Sequence, residues 1–121
     1  EERKMSNFRE RGKTFETEFS RNQELAFRIT ARRNRLFGVW AAEKMGLAAG
    51  ESMEAYAKAV VAADFEAPGD DDVIAKVRGD LAAKGVIIAE AELRAELARA
   101  ASEARQQVLA LNAVSDAPPR W

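Results

Sequence analysis

Apolar residues in the first half of the chain recur every three or four positions, the spacing of one face of an α-helix. Residues 21–45 contain no proline and one interior glycine, which predicts a long first helix. Ser52 can cap a second helix, and the Pro68-Gly69 pair ends it. These signals predict two consecutive helices joined by a short glycine-containing turn.

The second half of the chain repeats this pattern twice. The acidic run 70–72 supplies a cap and first-turn negative charge for a third helix, which ends near Gly85. Residues 86–88 read locally as a strand, but with no second strand to pair with they are interpreted as a connection. A fourth helix is predicted over 89–112. Its apolar stripe contains Leu93, Leu97, Ala101, Ala104, Val108 and Leu111.

The first helix is apolar on two sides. One predicted core face carries Leu25, Ile29, Leu36, Val39 and Trp40. The opposite face carries mostly small residues, namely Phe27, Ala31, Asn34, Gly38, Ala41, Ala42 and Met45. A helix with two packing faces is either central in its own bundle, the interpretation we favour, or offers its second face to a partner.

The predicted fold class is therefore all-α, a four-helix bundle with a flexible, amphipathic N-terminal segment. Composition agrees, since 47% of the residues are hydrophobic but only 7% are aromatic, as suits helices built from alanine and leucine. We expect a flexible segment at 1–19, one bundle domain at 20–113 and a loose tail at 114–121. Met5 is a candidate start, in which case residues 1–4 would not be native.

Composition also narrows the chemistry that the chain can perform. The chain has no cysteine and no histidine, which excludes disulfides, thiol nucleophiles and imidazole acid-base catalysis. It contains no phosphate-binding loop, dinucleotide motif or metal-ligand spacing, and no apolar run of the roughly 20 residues that cross a bilayer. We therefore expect a non-enzymatic protein without a metal or a membrane-inserted helix.

Charge is distributed unevenly along the chain. Residues 1–40 hold ten Lys/Arg against six Asp/Glu, whereas residues 41–98 hold six against twelve. This asymmetry indicates either charge complementarity within the fold or a basic arm for an acidic partner. Arg32 falls in the middle of the predicted core face, where its guanidinium needs a carboxylate, and Asp64 and Asp80 are the candidate partners. We favour a structural ion pair over a ligand-binding arginine.

Further arginines line the edge of the first helix. Glu24 precedes Arg28 by four residues, which favours a helical ion pair. The candidate anion or ion-pair cluster consists of Arg28, Arg32, Arg33 and Arg35, with Asp64 and Asp80. As alternatives, such a cluster could receive a nucleotide phosphate, with weak ATP or ADP binding, or contact nucleic acid. Overall acidity argues against nucleic acid, and we expect none as a partner.

The segment before the first helix carries regularly spaced phenylalanines. Phe8, Phe15 and Phe19 are seven and four residues apart, so they share one side if the segment is helical. Gly12 and the dense charge make this segment a marginal helix by itself. It should fold either on its own bundle or in a groove of another protein.

Several blocks of residues, in this order and at these distances, resemble the zeta subunit family of alphaproteobacterial F-type ATP synthases. The resemblance covers most of the chain. Its blocks are FRITARRNRLFGVWAA at 27–42, YAKAVV at 56–61, ADF at 63–65 and DV at 72–73, with Gly46, Lys76-Val77 and Asp80.

The resemblance implies a regulatory subunit that inhibits ATP hydrolysis. In such a protein the N-terminal segment inserts at a catalytic interface between the alpha and beta subunits and against gamma. It further implies a protein that is monomeric when free and lies in the cytoplasm, peripheral to the inner membrane through the ATP synthase. The partner-binding residues would be Phe8, Arg9, Arg11, Phe15, Glu16 and Phe19.

Overall fold

Four α-helices make up the protein, as seen in a computed structural model that describes the backbone of residues 2–116 and the side chains of residues 20–112. They are α1 (Glu2–Lys44), α2 (Glu51–Glu66), α3 (Asp70–Ala83) and α4 (Glu90–Asp116). No strand occurs within residues 2–116. The predicted all-α, four-helix fold is confirmed, and residues 86–88 are a connection as expected.

Two helices are longer than the sequence pattern predicts. α1 begins at Glu2 instead of residue 21, so the phenylalanine-spaced segment continues directly into the first bundle helix. Gly12 does not interrupt it, because a single glycine costs a helix only about 1 kcal/mol relative to alanine. α4 reaches Asp116, four residues beyond the predicted end. The flexibility expected for residues 1–19 stays a prediction, and residues 117–121 lie outside the described residues.

Glycines, and not the predicted capping side chains, occupy the N-cap positions of α2 and α3. The N-cap of α2 is Gly50 and that of α3 is Gly69, and neither makes a side-chain capping bond. Ser52 and the aspartates of residues 70–72 instead lie inside the first turns, where the carboxylates face the positive end of the helix. α3 ends as predicted, with Gly85 at a φ of 78°.

α1 is the central helix and contacts the other three. Its small-residue side is the more deeply buried one, with Asn34, Ala41 and Ala42 at most 1% exposed. Phe37, which neither predicted face includes, is buried as well, at 1% exposed. Leu25 and Ile29, predicted for the main core face, are only partly buried. The reason is steric, because small residues such as Gly38 allow α2 to approach α1 closely.

The core joins α1 to the inner stripes of the other helices. Among the described residues its buried members are Phe37, Ala41, Val60, Val73, Ile74, Val77, Leu81, Leu93, Leu97 and Ala100. On α4 the stripe runs through Ala100 rather than Ala101, and Leu111 is 59% exposed instead of buried. The last apolar position of the α4 stripe therefore lies at the bundle surface, beside Phe27 of α1.

Candidate partner-binding site

The candidate partner-binding site lies in the N-terminal segment of α1. Residues 2–19 form the first 18 residues of α1, which at 1.5 Å per residue is about 27 Å of helix. α2 runs antiparallel to α1 and brings Phe65, near its end, against Phe27. α4 is also antiparallel and brings Asn112 beside Leu25. Because α2 ends at Glu66, this register leaves residues 2–19 beyond the end of α2.

Six predicted partner-binding residues belong to this segment. By the helical period, positions 8, 15 and 19 share one side of α1. The side chains of Phe8, Arg9, Arg11, Phe15, Glu16 and Phe19 lie outside the described residues. Their contacts stay predictions, while the backbone that carries them is helical.

Arg28 and Arg35 form ion pairs on the surface of the bundle. Arg28 Nη2 lies 2.8 Å from Glu24 Oε1, the pair that their four-residue spacing predicts. Arg35 Nη2 lies 2.6 Å from Glu54 Oε1 on α2. All four side chains are more than 40% exposed, so neither pair contributes much to stability.

Arg32 does not pair with Asp64 or Asp80, and that prediction is wrong. Its Nε donates a 2.7 Å hydrogen bond to Oε1 of Gln107 on α4. The helical position of residue 32 turns it toward α4, whereas the two aspartates lie on α2 and α3. A neutral amide thus satisfies Arg32 and leaves its positive charge uncompensated by this contact.

Asp64 is bound instead by the two residues after Arg32. Arg33 Nη2 lies 3.8 Å from its carboxylate, and Arg33 Nη1 lies 2.8 Å from Asp70 at the start of α3. Asn34 Nδ2 donates a 2.7 Å hydrogen bond to Asp64 Oδ2. These contacts fasten the α2–α3 turn to α1. The sequence signal for this network was a polar residue, Asn34, on an otherwise small, apolar face.

Asp80 belongs to a separate polar cluster between α2 and α3. Its Oδ2 accepts hydrogen bonds from the Tyr56 hydroxyl at 2.8 Å and from Lys76 Nζ at 3.1 Å. Burial raises the pKa of Tyr56 above its ordinary value, and the bond to the Asp80 carboxylate raises it further. This cluster keeps a neutral phenol in the α2–α3 interface.

The predicted arginine cluster is thus divided between two sides of α1. Arg28, Arg32 and Arg35 line a groove shared with α2 and α4, while Arg33 is held by Asp64 and Asp70. Among the described side chains, no group of three acidic residues could hold a metal ion. In the described part of the chain, no helix is long and apolar enough to span a bilayer.

The sequence profile of the family described as ATPase inhibitor subunit zeta matches residues 5–107. The chain belongs to the ATPase inhibitor subunit zeta family. The match covers α1 from Met5, all of α2 and α3, and α4 as far as Gln107, so the resemblance noted from the sequence is confirmed. A comparison with curated proteins finds no match. As a member of this family, the chain is an ATPase inhibitor subunit, which is a regulatory protein.

Proposed function

We propose that this zeta-family protein inhibits ATP hydrolysis by the F-type ATP synthase through its N-terminal segment. The segment, residues 1–19, enters a catalytic interface between the alpha and beta subunits and against gamma, and the bundle stays outside. The observation that carries the proposal is the continuity of residues 2–19 with the central helix of the bundle.

This continuity has a thermodynamic consequence for binding. A short charged helix is marginal in water, and ordering it on a partner costs conformational entropy. The C-terminal half of α1 is fixed by its packing against α2, α3 and α4. A helix nucleated from that end extends without repeating the costly nucleation step. The bundle therefore lowers the cost of presenting the segment as a helix.

The composition of the segment fits a groove between subunits. Phe8, Phe15 and Phe19 would serve as apolar anchors at helical spacing, a recurring mode of helix-in-groove recognition. Arg9 and Arg11 would meet carboxylates of an acidic cleft, since charge-assisted hydrogen bonds are the stronger kind. Glu16 would pair with a cation on the opposite wall.

Deletion of residues 1–19 tests the proposal. Because the buried core lies between Phe37 and Ala100, the shortened chain should stay folded and lose inhibition of ATP hydrolysis. A full-length triple variant, Phe8→Ala with Phe15→Ala and Phe19→Ala, should lose inhibition as well. The matched control is Ser6→Ala with Thr17→Ala, which should inhibit normally. Undiminished inhibition by the deleted chain would contradict the proposal.

A second candidate function is nucleotide or anion sensing by the bundle. Its support is the groove in which Arg28, Arg32 and Arg35 lie beside the ring of Phe27. Weak ATP or ADP binding there would place phosphates on the guanidinium groups. Titration with ATP should then shift the NMR signals of these residues, and unchanged signals would remove this candidate.

A further inference from the structure

An apolar groove opens on the bundle near the point where the N-terminal segment leaves it. The groove encloses about 460 Å³ between α1, α2 and α4. We call it the phenylalanine groove. Its apolar wall is formed by Phe27, Ala31, Val61, Val108 and Leu111. Phe27 and Leu111 are each 59% exposed, so two large apolar side chains face solvent at one place.

Phe65 extends this apolar surface along α2. Its ring meets that of Phe27 edge to face, with centroids 6.3 Å apart and an interplanar angle of 84°. Phe65 is 72% exposed and also lines an adjoining cavity of about 340 Å³ with Val61 and Lys58. Single exposed apolar residues are ordinary, but a contiguous group of them with a polar rim marks an interaction surface.

The rim of the groove is positively charged. Arg28, Arg32 and Arg35 line it together with Asn112, and no acidic side chain lines it among the described residues. Arg28 pairs with the carboxylate of Glu24, and Arg35 pairs with that of Glu54. Within the described part of the chain, Arg32 donates only to the neutral Gln107. The adjoining cavity beside Phe65 is lined by two cations, Lys58 and Arg35, and by one carboxylate, Glu66. Charge complementarity therefore calls for an occupant with both apolar and acidic side chains.

We propose that the phenylalanine groove is a second docking surface, which receives a segment of the ATPase surface that carries apolar and acidic side chains. This inference rests on the proposed function and deepens it, because it assigns the bundle a contact of its own. Phe27 follows Phe19 by eight residues on one continuous helix, about 12 Å along its axis. A partner that takes up the segment therefore lies within reach of the groove.

Two contacts on one continuous helix reinforce each other. Once the N-terminal segment is bound, the groove meets its acidic partner segment at a high effective concentration, and loss of either contact weakens the whole complex. The N-terminal segment inhibits ATP hydrolysis, whereas the groove adds to the affinity for the ATPase. The two roles therefore separate experimentally into the maximal inhibition and the concentration at which it is reached.

The test uses full-length protein with Phe65→Glu, which puts a carboxylate on the apolar surface. We expect its affinity for the purified ATPase, measured with a fluorescent label, to fall about tenfold or more, while saturating protein still gives full inhibition. The matched control is Ile87→Glu, because Ile87 is 83% exposed in the α3–α4 connection, outside the groove. It should bind as the unmodified protein does. Phe65→Ser, which adds no charge, should also weaken binding.

Charge reversal on the rim tests the acidic character of the occupant. Lys58→Glu should lower the affinity and flatten its dependence on salt, whereas Lys84→Glu, at the end of α3, should change neither. Equal affinities of the Phe65 and Ile87 variants would overturn the docking surface. So would a groove that binds ATP but not the ATPase, or a self-association of the free protein that Phe65→Glu abolishes.

Failure of this inference is distinguishable from failure of the proposed function. If Phe65→Glu weakens binding while removal of residues 1–19 leaves inhibition intact, the groove stands and the segment does not inhibit. If the deletion abolishes inhibition while Phe65→Glu binds normally, the segment inhibits and the groove does not dock.

Discussion

Asn34 on α1 donates a 2.7 Å hydrogen bond from Nδ2 to Oδ2 of Asp64 on α2, and Asn34 is only 1% exposed. The other oxygen of Asp64 accepts a 3.4 Å bond from the backbone N–H of Gly69, in the turn before α3. One carboxylate thus joins α1, α2 and the entry to α3. Among the described residues, no buried side-chain polar atom lacks a hydrogen-bond partner.

Removing the Asn34 amide should therefore destabilise the bundle. Asn34→Ala leaves a largely buried carboxylate one donor short, which costs about 1–3 kcal/mol in the free energy of unfolding. Urea denaturation measures this difference. The control is Arg28→Ala, which breaks an exposed pair and should cost less than about 0.5 kcal/mol. Equal losses in the two variants would contradict the structural role of Asn34.

Gly38 sets the distance between α1 and α2. A Cβ at this position would lie 2.9 Å from the Cα of Ala57 and 3.2 Å from Val60 Cγ2. The substitution Gly38→Ala should have a packing cost of about 1–3 kcal/mol, because backbone atoms of α2 would have to move. Alanine in a helix interior offsets about 1 kcal/mol of this cost, so the net destabilisation should be up to about 2 kcal/mol. Thermal and urea unfolding measure the net effect.

Gly79 on α3 provides the matched control for that substitution. A Cβ there meets nothing within 4 Å, and its φ is not positive. Gly79→Ala should therefore stabilise the protein by about 0.5–1 kcal/mol through helix propensity alone. If both alanine variants shifted stability in the same direction, close packing at Gly38 would not be the cause.

The number and order of the helices were predictable because their signals are local. Pro68, Gly69 and Gly85 are helix-ending residues that can be recognised without knowing the tertiary structure. The 3.6-residue period of the apolar positions identifies the helices between them. The start of α1 was not predictable in this way. Gly12 and the surrounding charge weaken a helix in isolation, whereas here residues 2–19 continue a helix that the bundle has already nucleated.

The partners of charged residues depend on tertiary structure, which periodicity does not contain. The position of Arg32 on the core face of α1 indicates that its guanidinium needs a partner. The sequence does not show which helix faces that side, and the partner is Gln107 of α4. The exposure of Leu111 was missed for a related reason. The pattern puts Leu111 on the apolar stripe of α4 without showing whether a neighbouring helix covers that position.

Tyr56 should make the stability of the protein sensitive to alkaline pH. Its pKa is raised in the folded state by burial and by Asp80, whereas the unfolded chain titrates near the ordinary value of 10.0. Above that pH the unfolded state releases a proton that the folded state keeps, so the free energy of unfolding falls as pH rises. Below it, this contribution is fully present.

The variant Tyr56→Phe isolates this effect. Between pH 9 and pH 11, the loss of stability should be smaller for the variant than for the unmodified protein, since lysine titration is common to both. Urea denaturation at the two pH values measures the difference. Parallel losses would show that the phenol does not stay protonated in the fold.

Truncation should cost much more stability at Phe37 than at Phe65, although both lie in the α1–α2 half of the bundle. Phe37 is 1% exposed and stacks on Trp40 with centroids 5.7 Å apart, so Phe37→Ala should cost about 3–5 kcal/mol of stability. Phe65→Ala, at a site 72% exposed, should stay within about 0.5 kcal/mol. An exposed aromatic residue that adds so little to stability is available for a contact outside the fold. A loss near 3 kcal/mol at Phe65 in urea denaturation would instead make it a core residue and remove the physical basis of the docking surface.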